Sequence, residues 1–362
     1  MSRPASCRKF SCEVVASALI GVLACRPSSS EPGASLSQAA DIVIGEFDTL
    51  LSHAHDSLSQ PIAVAVADDG TAYVLDGERL MVTAWSPGAP ARSFARGGEG
   101  PGELRNPSGI DVAGDTVRVY NIGNGRLELF GIDGTSLGGR QLPPAALDGP
   151  LAVSRDGRLA AATMGVGDTS LAIVFARGDH HEMMRLGRLL TPQVAKWSPS
   201  DIHEAVRAGR VPSMFRNFAS PLFGSSGTIW LILFAEGLVQ RYDSSGRLVH
   251  SLRLDIPEIQ QMKSEFLEAG RRTSTPTSFG LLTYVPDAKV VGDDLWLLLG
   301  MPEASGAVVL VVAGNGVLRH RIVLPEVRGA SGLAVDAINR QLYLMVTSEG
   351  LLLRAALPPG LL

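Results

Sequence analysis

The chain has no surplus of positive charge. Its 32 lysines and arginines are outnumbered by 36 aspartates and glutamates, the net charge is −4, and only 19% of the 362 residues are charged. This balance gives no electrostatic reason to expect nucleic acid, which is not among the expected partners. Cysteine is almost absent. Cys7, Cys12 and Cys25 lie in the first 25 residues and none follows, which leaves the bulk of the chain without disulfide or thiol chemistry. Histidine is sparse too: His53, His55, His180, His181, His203, His250 and His320 never fall in H-E-x-x-H spacing, and no C-x-x-C occurs; the G-x-S-x-G string Gly134 to Gly138 lies inside the hairpin pattern "LELFGIDGTSLGGRQL" and not at the strand-to-helix turn of a nucleophile elbow. One glycine-rich run, "ARGGEGPGELRNPSGIDV" (Ala95 to Val112), lacks the lysine, hydroxyl and helix that a phosphate loop needs, because Glu103 and Leu104 follow Gly102 and an alternating strand pattern comes next.

What the chain does have is glycine, 40 residues, and proline, 22, spread without a triplet period. That composition suits many short strands and tight turns. A turn followed by an apolar strand recurs six times: "DDGTAYVLD", "AGDTVRVYN", "RDGRLAAAT", "SSGTIWLIL", "VGDDLWLLL" and "AINRQLYLM". Anchored at Gly70, Gly114, Gly157, Gly227, Gly292 and Arg340, the spacings are 44, 43, 70, 65 and 48 residues. Propeller blades of four strands repeat every ~40 to 50 residues.

The two long intervals each carry a helical pattern, at about 190–217 and 255–278. Ser198, Pro199 and Asp201 form a helix start and Gly209 a stop in the first. Pro257, the stripe Ile259, Met262 and Phe266, and Gly270 do the same in the second. Removing both insertions regularises the period. The last repeat lacks an outer strand, while "ADIVIGEFDTLL" (Ala40 to Leu51) is unassigned. The expected fold is therefore all-β: a six-bladed β-propeller of four-stranded antiparallel blades over residues 40–358, its ring closed by the N-terminal strand.

Residues 1–24 combine Arg3, Arg8 and Lys9 with the apolar run Val14 to Ala24, the layout of a signal peptide and too short to span a bilayer. The tetrad Val22, Leu23, Ala24, Cys25 resembles a bacterial lipobox, which implies lipidation of Cys25, a flexible tether over 25–39, and an envelope location, in the periplasm or at the outer membrane. The repeats, together with Gly98, Gly100, Pro101, Gly102, Glu103, Leu104, Asn106 and Pro107, resemble the bacterial six-bladed propeller family related to NHL repeats. That resemblance implies a fold and an envelope location, and no single activity.

In a propeller the connections between successive blades share one face. The glycine-rich loop and both insertions are such connections, so the expected ligand-binding residues are Glu99, Glu103, Arg105, Asn106, Trp197, Arg207, Arg210, Arg216, Arg271 and Arg272, with His203 nearby. The plainer alternatives are that the loop is a corner whose Glu103 satisfies its own backbone, and that the arginines solvate exposed helices. The expected function is noncatalytic: a monomeric, membrane-anchored propeller that binds a protein, peptide or glycan and needs no cofactor. The alternative is a metal-dependent, lactonase-like hydrolase or lyase with a divalent cation at the channel mouth. The acids nearest the inner strands are Asp111, Asp287 and Asp336.

Overall fold

A computed structural model describes residues 40–56, 58–164, 168–192, 199–272, 282–302 and 305–362. Cys25, Trp197 and Ser198 lie outside these residues, as does the proposed signal peptide. The six anchor turns organise the fold. All six anchor residues have a left-handed backbone, with φ between +54° at Arg340 and +88° at Gly157. Glycine takes that conformation without steric cost, and five of the six positions use it.

Each turn joins the first two strands of an antiparallel sheet. Blade 1 comprises Pro61–Val66, Ala72–Asp76, Met81–Trp85 and Arg92–Phe94; blade 2 Pro107–Ala113, Thr116–Asn121, Arg126–Gly131 and Ser136–Gln141. Blade 3 comprises Leu151–Val153, Leu159–Ala162, Ala172–Phe175 and Glu182–Leu186; blade 4 Ala219–Phe223, Ile229–Leu233, Leu238–Tyr242 and Leu248–Arg253. Blade 5 is Asp287–Val291, Asp294–Leu298, Gly306–Val312 and Leu318–Arg328, and blade 6 Gly332–Asp336, Gln341–Val346 and Leu351–Ala356. The first strand of each lines the central channel.

Neighbouring blades cover both faces of the second strands, which explains their unbroken apolar runs: every residue of Ile229–Leu233 and Leu159–Ala162 is buried. The outermost strand has one face in solvent, so Ser136–Gln141 is mostly exposed. Second-strand aromatics also stitch blades together. The Tyr73 hydroxyl donates to Ile132 O of blade 2 at 3.0 Å, and Tyr343 donates to Gly70 O of blade 1 at 3.3 Å.

The N-terminal segment closes the ring in two steps rather than one. Asp48–Leu51 pairs antiparallel with Leu351–Ala356 and completes blade 6, as expected, with Leu51 fully buried. Asp41–Val43 instead runs parallel to the outer strand of blade 5, Asp41 opposite Arg321, and gives that blade a fifth strand. Arg321 holds it there by pairing with Asp41 at 2.7 Å and with Glu258 of the second insertion.

The insertions form the helices Pro199–Arg207 and Pro257–Arg272. They pack on one another: a side chain at Gly270 would run into Val206, and the Phe215 and Phe266 rings lie 6.2 Å apart. Ile202, Val206, Ile259, Met262 and Leu267 join a core with Trp230 and Leu252 of blade 4. Both insertions therefore share one face, as the topology requires.

Candidate functional site

The glycine-rich loop is a self-satisfying corner. Glu103 Oε1 accepts from Arg96 Nε at 2.9 Å and Oε2 from Gly100 N–H at 2.8 Å, and these bonds hold the carboxyl below its usual range, the Gly100 bond foremost. Glu99 pairs with Arg105, whose N–H donates to Asn121 Oδ1 at 2.8 Å. Asn106 takes the left-handed backbone, φ +45°, that turns the chain into blade 2. Beneath them the fully buried Glu128 accepts from Gly102 N–H at 3.1 Å and pairs with Arg126 at 2.7 Å.

The arginines lie elsewhere on the ring, over blades 4 and 5. Arg210 and Arg216 line a groove of about 740 Å³ with Glu236 and Lys263, and Arg216 is paired with Glu236. Arg272 is paired with Glu268 one helical turn away. Arg207 is exposed, and Arg271 lies beside Gly209. His203 is buried in the first insertion rather than presented to a ligand. The bonds of the loop all stay within blades 1 and 2, so the loop and the arginines are not gathered into one site.

The convergent chemistry is in the central channel, a cavity of about 640 Å³ walled by the inner strands of all six blades. This is within the usual size for a small-molecule site. Asp111 and Lys289 both stand three residues before their turn glycine, Gly114 and Gly292, in blades with the same tight turn. Blades 2 and 5 are opposite in a ring of six, so carboxylate and ammonium face the axis from opposite walls at one height.

On the blade 2 wall, Asp111 is gripped by Arg118, which lies directly across the strand pair. Arg118 Nε and Nη2 engage its two oxygens, the latter at 3.0 Å, and the Tyr120 hydroxyl donates to Oδ2. Burial pushes the Asp111 carboxyl up, although the charge of Arg118, hydrogen bonds from Arg118 and Tyr120, and the charge of Lys289 pull the other way. About a quarter of the side chain, 26%, still faces the channel. Burial foremost, then the Asp111 charge, raises Tyr120 well above the ordinary phenol range and keeps it a donor. On the opposite wall Asp287 accepts from Leu333 N–H and Ala288 N–H, both at 2.8 Å, and holds Lys289 Nζ at 2.9 and 3.0 Å. Asp336 does not line the channel; it caps its own turn through Asn339.

A divalent cation does not fit this donor set. Among the described residues no three His, Cys, Asp or Glu side chains cluster to hold one, and Arg118 and Lys289 already occupy the oxygens of Asp111 and Asp287.

No family model and no curated protein matches the chain. Solved structures do. A gluconolactonase of Xanthomonas campestris is 15% identical over 86% of this chain and 89% of its own, with a TM-score of 0.50. A protein of Bacteroides fragilis described as exported is 12% identical over 84% and 87%, with a TM-score of 0.51. The virginiamycin B lyase of Staphylococcus aureus, as a catalytically inactive variant, is 11% identical over 87% and 90%, with a TM-score of 0.49. Likeness this distant establishes the six-bladed propeller fold. It also corrects the expectation of a noncatalytic protein. That expectation took the absence of familiar sequence motifs as absence of catalysis, whereas this fold carries enzymes such as the gluconolactonase, and the ionisable groups here converge only once the ring has closed.

Proposed function

We propose that the chain is a hydrolase or lyase acting on a small carbonyl compound, an ester or lactone, held across the central channel. One observation carries the reading: a carboxylate, Asp111, and an ammonium, Lys289, face each other at one level of a channel of small-molecule size. Asp111 is the general base, taking a proton from water in hydrolysis or from the carbon beside the carbonyl in elimination. Lys289, fixed by Asp287, donates a proton of its ammonium to the oxygen on which negative charge develops. The likeness to a gluconolactonase supports the lactone class by analogy of fold. The export signal and lipidation of Cys25 remain part of the proposal on the sequence pattern alone.

A panel of lactones and esters, glucono-δ-lactone included, tests it. Acid release is followed by pH-stat and elimination by the absorbance of the new double bond. General-base catalysis contributes about 100- to 10,000-fold, so Asp111→Asn should lose at least about 100-fold in rate, with Lys289→Met similarly impaired. Turnover that survives both substitutions, or no turnover of any member, overturns the reading.

A further inference from the structure

Arg118 stands out because, beside the channel, its guanidinium is spent on Asp111 and on the neighbouring blade. It lies on the second strand of blade 2, its side chain is 10% exposed, and besides gripping Asp111 it reaches into blade 3. There Nη1 donates to Ser154 O at 2.9 Å and Nη2 to Val153 O at 3.0 Å. Those carbonyls belong to the end of the inner strand of blade 3 and the turn after it. Tyr120 lies at the same seam, its hydroxyl bonded to Asp111. A guanidinium fork suits this task because it is planar, always charged and can serve acceptors on two sides at once.

We propose that Arg118 is a positioning residue: it ties Asp111 to blade 3 and holds the carboxylate in one orientation at the channel wall. The inference rests on the reading of Asp111 as the base. In this role Arg118 acts through Asp111. The groups facing Asp111 are Arg118 and Tyr120 from its own blade and Lys289, with Asp287, from across the axis. Exposed Arg155, at the end of the blade 3 strand, also lines the channel. Removing Arg118 takes away the largest influence that opposes burial, so the carboxyl should hold its proton to higher pH.

The test is a carbon-13 NMR titration of aspartate carboxyls in the full chain without substrate, the Asp111 signal assigned by its loss in Asp111→Asn. Arg118→Met should raise the proton affinity of Asp111 by about tenfold or more, the scale of one lost charge-assisted grip. Arg118→Lys keeps the charge but cannot span Asp111 and both carbonyls, and should give a rise of about threefold. Tyr120→Phe, which deletes one hydroxyl, should raise it by a similar smaller factor. A folded Arg118→Met protein with an unchanged midpoint overturns the proposal. If that variant does not fold, unchanged midpoints in both Arg118→Lys and Tyr120→Phe overturn it instead. Because no substrate is present, a chain that titrates as expected yet turns nothing over refutes the catalytic reading and not the positioning of Asp111. In an active chain the acid limb of the pH–rate profile should move upward with the NMR midpoint.

Discussion

Arg340 does at one turn what glycine does at the other five, with φ +54°. A side chain there costs about 1–2 kcal/mol of steric strain. The structure uses the side chain: Arg340 Nη2 donates to Pro358 O, and its own carbonyl accepts from Leu357 N–H at 2.8 Å, which ties down the C-terminal tail. Arg340→Ala keeps the strain and loses the side-chain tie, so it should cost about 1 kcal/mol in urea unfolding. Arg340→Gly loses the same bond but sheds the strain, and should be the more stable of the two by about 1 kcal/mol. The reverse order would refute this account of the turn. Gly98 presents the opposite case. At φ +153° it leaves room for the Glu103 carboxylate, and a Cβ would collide with that group. Gly98→Ala should therefore expel Glu103 from its bonds to Gly100 and Arg96, with a loss of about 2 kcal/mol read as a lower urea midpoint.

Closure depends on two short elements of unequal weight. Asp48–Leu51 supplies the missing strand of blade 6, and Leu51 packs with Leu58, Val64 and Leu352 across the last seam of the ring. Asp41–Val43 only lengthens blade 5, with Val43 65% exposed. Leu51→Ala should cost about 2–5 kcal/mol, the usual range for a buried leucine, whereas Val43→Ala should stay within about 0.5 kcal/mol. Equal urea midpoints for the two variants would show that closure does not rest on Asp48–Leu51. The closing strand was legible because blade 6 ended one strand short. The split was not, since a parallel addition to the edge of blade 5 leaves no mark beyond three ordinary strand residues. The channel was partly legible: Asp111 and Asp287 stand out as acids near inner strands, but the place of Lys289 across the channel from Asp111 emerges only once the register is known. Arg118 did leave a signal, an arginine inside "TVRVY", where both faces of the strand are covered. Charge at such a position is costly unless paired, and the pairing is what builds the site.

At the scale of the whole ring, the tyrosines act as a group. The chain has five, Tyr73, Tyr120, Tyr242, Tyr284 and Tyr343, and burial raises every one of them, Tyr242 to about 12. Tyr73 and Tyr343 bond backbone carbonyls of the next blade, which only the protonated hydroxyl can do. In the unfolded chain each phenol ionises near its ordinary value of 10.0. Between that value and the raised one, the unfolded state releases protons that the folded state retains, so stability must fall as pH rises. Below pH ~10 both states are protonated and the five contribute nothing to the pH dependence. Urea midpoints should therefore show no tyrosine-linked slope at neutral and mildly alkaline pH and then drop steeply above about pH 10. The phenolate absorbance should rise together with loss of the near-ultraviolet circular dichroism rather than before it. The seams between blades 1 and 2 and between blades 6 and 1 would then open with it, because the Tyr73 and Tyr343 hydroxyls hold them. Five phenolates titrating near pH ~10 with the native dichroism intact would mean that the tyrosines are not locked between the blades, and would remove this part of the account of what holds the ring together.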